Sequence, residues 1–164
     1  MNTTEIKGND EQLPQAHFFE QEELRKLVRS FSNLFSSLTE EGVGSLVGEV
    51  YASDAYLNDT LKEVRGIEAI REYLIESGKA VQSCQVQIND LAQSQVDCYV
   101  RWTMEIRFKK LENGRICRSQ GISHLRFNKN GKIIYHQDYW DSAGALFEHI
   151  PFLGLLIRQV KKRL

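Results

Sequence analysis

The apolar positions divide the chain into helical stretches first and strands afterwards. Leu24, Leu27, Val28, Phe31, Phe35 and Leu38 fall on one stripe at helical spacing, and Glu20, Glu22 and Glu23 lie where a helix N-terminus favours negative charge. This spacing predicts a first helix. Thr39 is placed to cap a second, with Val43, Leu46, Val47 and Val50 on its apolar face and an end near Tyr51. Ala55 to Thr60 reads as a short strand. Gly66 to Leu74 reads as a third helix, with Gly78 as its stop.

From about Val81 to Asp141 the period changes to two, and the turns Glu112-Asn113-Gly114 and Asn128-Lys129-Asn130-Gly131 carry glycine. Four long strands are expected. The clearest puts Val96, Cys98, Val100, Trp102, Met104, Ile106 and Phe108 on one face and Asp97, Tyr99, Arg101, Thr103, Glu105 and Arg107 on the other. Helices followed by strands too closely spaced for crossover helices predict an α+β fold with a curved antiparallel sheet. Beyond Asp141, Pro151 fits the first turn of a last helix with Leu153, Leu156, Ile157, Val160 and Leu164 on one stripe and a basic end of Arg158, Lys161, Lys162 and Arg163. A basic amphipathic helix can lie on a membrane surface, but cations in a last turn also complement the helix dipole. Packing on its own domain or a partner's is the favoured expectation.

The chain of 164 residues, 41% hydrophobic and 26% charged, is long enough for one continuous core. Its net charge of -1 provides no excess of either sign to draw it onto nucleic acid, which is not an expected partner. No apolar run approaches the roughly 20 residues needed to cross a bilayer, and Met1 to Gln15 lacks an apolar signal core, so the cytoplasm is the expected location. Cys84, Cys98 and Cys117 are odd in number and sit among alternating apolar residues, which reads as small buried hydrophobes. A zinc site or thiol nucleophile would need closer ligands or a partner base, so no metal is expected.

Two stretches resemble a known family. Tyr51-Ala52-Ser53-Asp54-Ala55-Tyr56-Leu57-Asn58-Asp59, followed by Arg65-Gly66-Ile67-Glu68-Ala69-Ile70-Arg71-Glu72-Tyr73, is similar to the helix, strand and helix of the SnoaL-like and ketosteroid-isomerase-like group of the nuclear transport factor 2-like superfamily. Ile122-Ser123-His124-Leu125-Arg126-Phe127 to Gly131-Lys132-Ile133-Ile134, then Asp138-Tyr139-Trp140-Asp141, resembles that group's last hairpin. The resemblance spans roughly residues 20 to 150. Residues 1–16, polar with Gly8 and Pro14 and no apolar period, are expected to be a mobile tail, with a pocket domain over 17–150 and a C-terminal helix over 151–164 belonging to that domain or its dimer.

The resemblance also implies which residues face the pocket. Phe31 and Phe35 come from the first helix, Leu57 and Asp59 from the first strand, and Trp102, Met104 and Ile106 from the long strand. Ser123 comes from the next, and His136, Asp138 and Trp140 from the last. A mostly apolar lining with a few convergent polar groups suits a small hydrophobic molecule. Asp59 matches the place of the family's proton-abstracting carboxylate, a role that desolvation in an apolar cleft would favour. Its bland alternative is a turn residue before Leu61. Asp138 matches an acid of the epoxide-hydrolase and cyclase branches, with His136 as a second proton handler. Its alternative is a structural hydrogen bond.

The departures matter too. Ketosteroid isomerases place a tyrosine on the first helix and a protonated aspartate on the penultimate strand, where this chain has Phe31 or Phe35 and Ser123. Epoxide hydrolases of this fold place Arg and Asp where Met104 and Ile106 stand. The implied activity is cofactor-independent isomerase, cyclase or hydrolase chemistry through Asp59 or Asp138, and the rival is a non-catalytic ligand-binding or dimerising module. The polar face carrying Tyr99 and Arg101 would pair two copies through the sheet.

Overall fold

The computed structural model describes residues 15–39, 42–110, 116–150 and 152–163. The Glu112-Asn113-Gly114 turn, residues 1–14 of the tail, Pro151 and Leu164 lie outside the described residues. The elements follow in the expected order: α1 (Gln21–Ser36), α2 (Val43–Val50), β1 (Tyr51–Asn58), β2 (Glu63–Arg65), α3 (Ile67–Lys79), β3 (Val81–Ser94), β4 (Asp97–Phe108), β5 (Ile116–Phe127), β6 (Ile133–Trp140), α4 (Ser142–Ala145), a 3-10 turn (Phe147–His149) and α5 (Leu153–Lys161).

The helices form where the apolar stripes predict them. In α1 the stripe buries Leu24, Val28, Phe31 and Phe35, together with Leu34, while Glu22 and Glu23 occupy the first turn. Two hydroxyls clamp α1 onto β3: Ser32 Oγ donates to the Val86 carbonyl at 3.1 Å, and the Val86 N–H donates to Ser36 Oγ at 3.0 Å. The helix α2 begins about one turn later than a Thr39 cap would place it. Thr39 Oγ1 accepts from the Gly42 N–H at 3.2 Å, and Gly42 itself holds the cap position of α2. In α3, Gly78 is a buried helical residue rather than the stop, because the helix runs on to Lys79.

The sheet is open and six-stranded, in the order β2-β1-β6-β5-β4-β3. The four long strands are antiparallel, and register shifts in β3 near Val81 and Ile88 bend its edge, as extra residues in one strand do. β1 is the exception, running parallel to β6 and antiparallel to the short β2. Alternation gives the face of a side chain but not the neighbour of a strand, so this pairing has no signature in the pattern.

On the concave face, Val100 and Trp102 of β4, Ser119, Ser123 and Leu125 of β5, and Ile134, His136 and Asp138 of β6 are buried under the helices. Gly121 has a specific task there. It lies in register between Trp102 and Trp140, and a Cβ at this position would come 2.5 Å from the Trp102 ring and 2.9 Å from the Trp140 Cβ. Only a residue without a side chain lets two indoles pack across one strand. By contrast α5 buries only Gly154, and Leu155, Leu156 and Val160 are more than half exposed. No helix among the described residues is long and apolar enough to cross a membrane.

Candidate functional site

Strand parity brings a row of polar side chains onto the concave face. Ser123 of β5 stands opposite Asp138 of β6 in the register, and His136 lies two residues before Asp138, hence on the same face. Ser123 Oγ donates to Asp138 Oδ1 at 2.5 Å, and Trp102 Nε1 donates to Ser123 Oγ at 2.9 Å. His136 Nε2 lies 2.7 Å from the same Asp138 oxygen, and its Nδ1 lies 2.6 Å from the Tyr51 hydroxyl.

The protons in this row are assigned by its ends. Burial, then the negative charges of Asp138 and Asp59, push the Tyr51 phenol well above its ordinary value, so the hydroxyl keeps its proton at this contact. Asp138 Oδ1 can only accept, so Nε2 carries a proton pointing at it, and in the neutral imidazole Nδ1 is then the acceptor for the Tyr51 hydroxyl. Oδ1 therefore receives two donors. Among the described residues Oδ2 has no hydrogen-bond partner, and no fully enclosed side-chain oxygen or nitrogen goes without one, so Oδ2 meets open space. The side chain of Asp138 is 11% exposed, and that exposure is to a cavity.

The cavity holds about 280 Å³, near the small end of the roughly 300–1,000 Å³ usual for ligand sites. Its wall is mostly apolar: Phe35, Leu38, Leu74, Trp102, Met104, Ile106, Phe108, Trp140 and Leu146 surround the polar groups Asp138, Asp59, Tyr73 and Ser119. A crevice of about 10 Å³, room for a single water, continues from it between Phe31, Trp102, Ser123 and Asp138.

Asp59 sits just past the end of β1, and its oxygens are engaged differently. Oδ1 accepts from the Leu61 and Lys62 N–H groups, both at 3.0 Å, while Oδ2 accepts from the Tyr73 hydroxyl. Burial and the bond to Asp59 push the Tyr73 phenol up, so it remains a donor. The Trp140 indole N–H donates to the Asp59 carbonyl at 2.7 Å and ties the loop to β6. Asp59 is thus both a turn-capping residue and part of the cavity wall.

Of the residues expected to face the pocket, Phe35, Asp59, Trp102, Met104, Ile106, Asp138 and Trp140 line the cavity, and Phe31 and Ser123 line the crevice. Leu57 and His136 line neither. At 1% and 0% exposure they are sealed in the core, so His136 reaches the cavity only through Asp138. Ser123 and His136 direct their donors at a carboxylate oxygen, which leaves neither free to steady an oxyanion on a ligand. Two tyrosines escaped the sequence reading. Tyr73 follows Ile70 at helical spacing on α3, and Tyr51 begins β1 directly after the last valine of α2. Ser119 and Cys117 share the parity of Ser123, so the strand pattern could have placed them too. Among the described residues no group of three or more His, Cys, Asp or Glu is placed to hold a metal.

Solved structures with low sequence identity share this architecture. A candidate polyketide cyclase from Acidithiobacillus ferrooxidans superposes with a TM-score of 0.65 at 14% identity, over 87% of this chain and 99% of that one. TsrD from Streptomyces laurentii gives 0.64 at 17% identity, over 77% and 94%. An LEH-like epoxide hydrolase from M. tuberculosis gives 0.60 at 15% identity, over 82% and 97%. No curated protein matches the sequence. The model of the SnoaL-like domain matches residues 28–136, a stretch running from α1 to His136 that includes most of the cavity wall, and the chain therefore belongs to the SnoaL-like family within the nuclear transport factor 2-like fold.

Proposed function

We propose that this protein binds a small hydrophobic carbonyl compound in the cavity under the sheet and that Asp138 moves a proton on it. The observation that carries the reading is the division of labour at one carboxylate. Oδ1 is fixed by Ser123 and His136, and Oδ2 is left unpaired at an apolar wall. A base held in a single orientation, with no arginine or lysine paired to it and its free oxygen aimed at bound substrate, is arranged for abstracting a proton beside a carbonyl. His136 and Ser123 act as positioning residues, and Tyr51 fixes the imidazole tautomer. Asp59, with its Oδ1 occupied by the turn and its Oδ2 by Tyr73, supports the cavity wall and offers a second polar point for the ligand. Location in the cytoplasm suits free thiols: burial pushes Cys84 and Cys98 up to about 12, which keeps them protonated and inert.

The test is hydrogen–deuterium exchange, followed by NMR, on a panel of cyclic and open-chain ketones incubated with the protein in deuterated water. Wild type should exchange the protons beside the carbonyl of a panel member that binds. Asp138→Asn, which keeps the shape and can still accept at Oδ1, should lose at least about a hundredfold in exchange while retaining binding. Exchange unchanged in that variant would remove the carboxylate from the chemistry and leave a binding module.

A second reading concerns assembly and rests on the convex face. Ile122 and Tyr139 are neighbours in register on β5 and β6, at 41% and 58% exposure, and Tyr99 is exposed on β4. Exposed aromatic and branched residues side by side on a sheet favour a homodimer through that face. Sedimentation velocity should give a dimer that Ile122→Lys converts to monomer; a wild-type monomer at micromolar concentration would discard it.

A further inference from the structure

The stretch that ends the cavity wall at Ala145 and Leu146 runs through the 3-10 turn into α5, and α5 is held in an unusual way. Among the described residues its main contacts are to that turn. Gly154 packs so closely on the Glu148 carbonyl that a Cβ would lie 2.1 Å from it, Arg158 Nη1 donates to that carbonyl at 3.0 Å, and Lys161 Nζ pairs with Glu148 Oε1 at 2.5 Å. These contacts fix the helix with its apolar residues turned outward. Phe152 is 84% exposed, Leu156 65%, Val160 59% and Leu153 39%.

Helical spacing sets Leu153, Leu156, Ile157 and Val160 on one stripe, with Lys161 and Arg163 at its two edges and Arg158 and Lys162 on the opposite side. Lys109 and Lys110, at the end of β4, line the neighbouring surface depression together with Leu146 and Ile150. In a chain of net charge -1, this end of the molecule gathers six cations, of which Lys161 is paired with Glu148. Phe152 adds a second feature: it caps the helix with φ at 66°, a left-handed conformation that costs an aromatic residue energy, and it holds the ring out in solvent.

We propose that α5 with Phe152 is an interfacial element that docks this protein on an anionic lipid surface. The apolar stripe would enter the boundary between headgroups and acyl chains, and the flanking lysines and arginines would meet the lipid phosphates and carboxylates. A protein partner or a second copy would cover the stripe equally well, but the cations sharing the helix and the neighbouring depression complement a negatively charged plane. A helix of this length buries too little to hold the membrane by its apolar face alone, so binding depends on the charge. Docking is independent of the chemistry proposed for Asp138.

The experiment uses the full chain with vesicles of phosphatidylcholine containing roughly one-quarter phosphatidylserine, and with vesicles of phosphatidylcholine alone. Wild type should sediment with the anionic vesicles, weakly or not at all with the neutral ones, and less as salt is raised. Leu156→Glu/Val160→Glu should abolish sedimentation, and Lys162→Ala/Arg163→Ala should lower the partition coefficient by roughly tenfold or more. All four positions are exposed, so the variants should keep the far-ultraviolet circular dichroism and melting midpoint of wild type. Three results overturn the proposal: no sedimentation of wild type with anionic vesicles, equal sedimentation of wild type and Leu156→Glu/Val160→Glu, or a concentration-dependent dimer that those two substitutions split, which assigns the stripe to a second copy.

Discussion

Two histidine–aspartate pairs stand on opposite faces of the same sheet. On the concave face His136 Nε2 lies 2.7 Å from Asp138 Oδ1, and on the convex face His124 Nε2 lies 2.6 Å from Asp97 Oδ1. The residue types and distances match, but the surroundings differ. Arg126 Nε also donates to Asp97 Oδ1 at 2.6 Å, and Tyr99 stacks on the His124 ring. The outer carboxylate is thus neutralised by a fixed cation at the rim of water, whereas the inner one is held only by a hydroxyl and an imidazole, with one oxygen facing a cavity. Both carboxylates take their two donors on Oδ1, so what sets Asp138 apart is the apolar cavity its side chain faces and the lack of an arginine among its partners.

The sharpest way to break this contrast is to remove each imidazole. His136→Ala would empty a fully buried site bounded by the rings of Phe31 and Phe35, strand the Tyr51 hydroxyl and take a donor from Asp138. Cavity and unpaired polar groups together should cost about 3–5 kcal/mol in urea unfolding. His124→Ala, partly solvated and flanked by Arg126, should cost about 1 kcal/mol or less. Equal losses would mean that the inner pair is no more than a second surface pair.

A change that touches neither histidine sharpens the contrast from the packing side. Gly121→Ala would drive a methyl group into the Trp102 ring, whose indole N–H anchors Ser123 and through it Asp138. Overpacking of this kind should cost about 1–3 kcal/mol and tilt Trp102, so ligand affinity should fall with stability. The convex face has no counterpart, because Gly121 approaches indoles only on its concave side.

Most of this architecture follows from period alone. The switch from helical to alternating spacing near Val81 gives the α+β order, and the alternation in β4 and β5 assigns almost every side chain to the correct face. The pairing of β1 with β6 escaped because strand neighbours are set by tertiary closure, which no local pattern encodes. Tyr51 escaped for a related reason: its partner His136 is remote in sequence, and the hydroxyl-to-imidazole contact exists only once β1 lies along β6. The sequence groups His136 and Asp138 by parity, yet parity cannot say that the imidazole is sealed while the carboxylate reaches the cavity. That distinction depends on Phe31 and Phe35 covering one ring, which is a matter of helix placement.

The smallest expected effect lies in the pH response of the outer pair. Burial works to raise the Asp97 carboxyl, but hydrogen bonds from Arg126 and His124, with the charge of Arg126, outweigh it and hold the group below the ordinary carboxylate range. A group with a lower pKa in the folded than in the unfolded chain binds fewer protons when native, so it adds stability above its unfolded value of about 3.9. That contribution fades as pH falls through the native value. Wild type should therefore exceed Asp97→Asn in stability at neutral pH by less than about 1 kcal/mol, and the gap should close below about pH 4. A gap that stays constant across this range would show that the ionised form of Asp97 is not what Arg126 and His124 stabilise. The convex pair would then differ from the concave one by exposure alone, not by its cation.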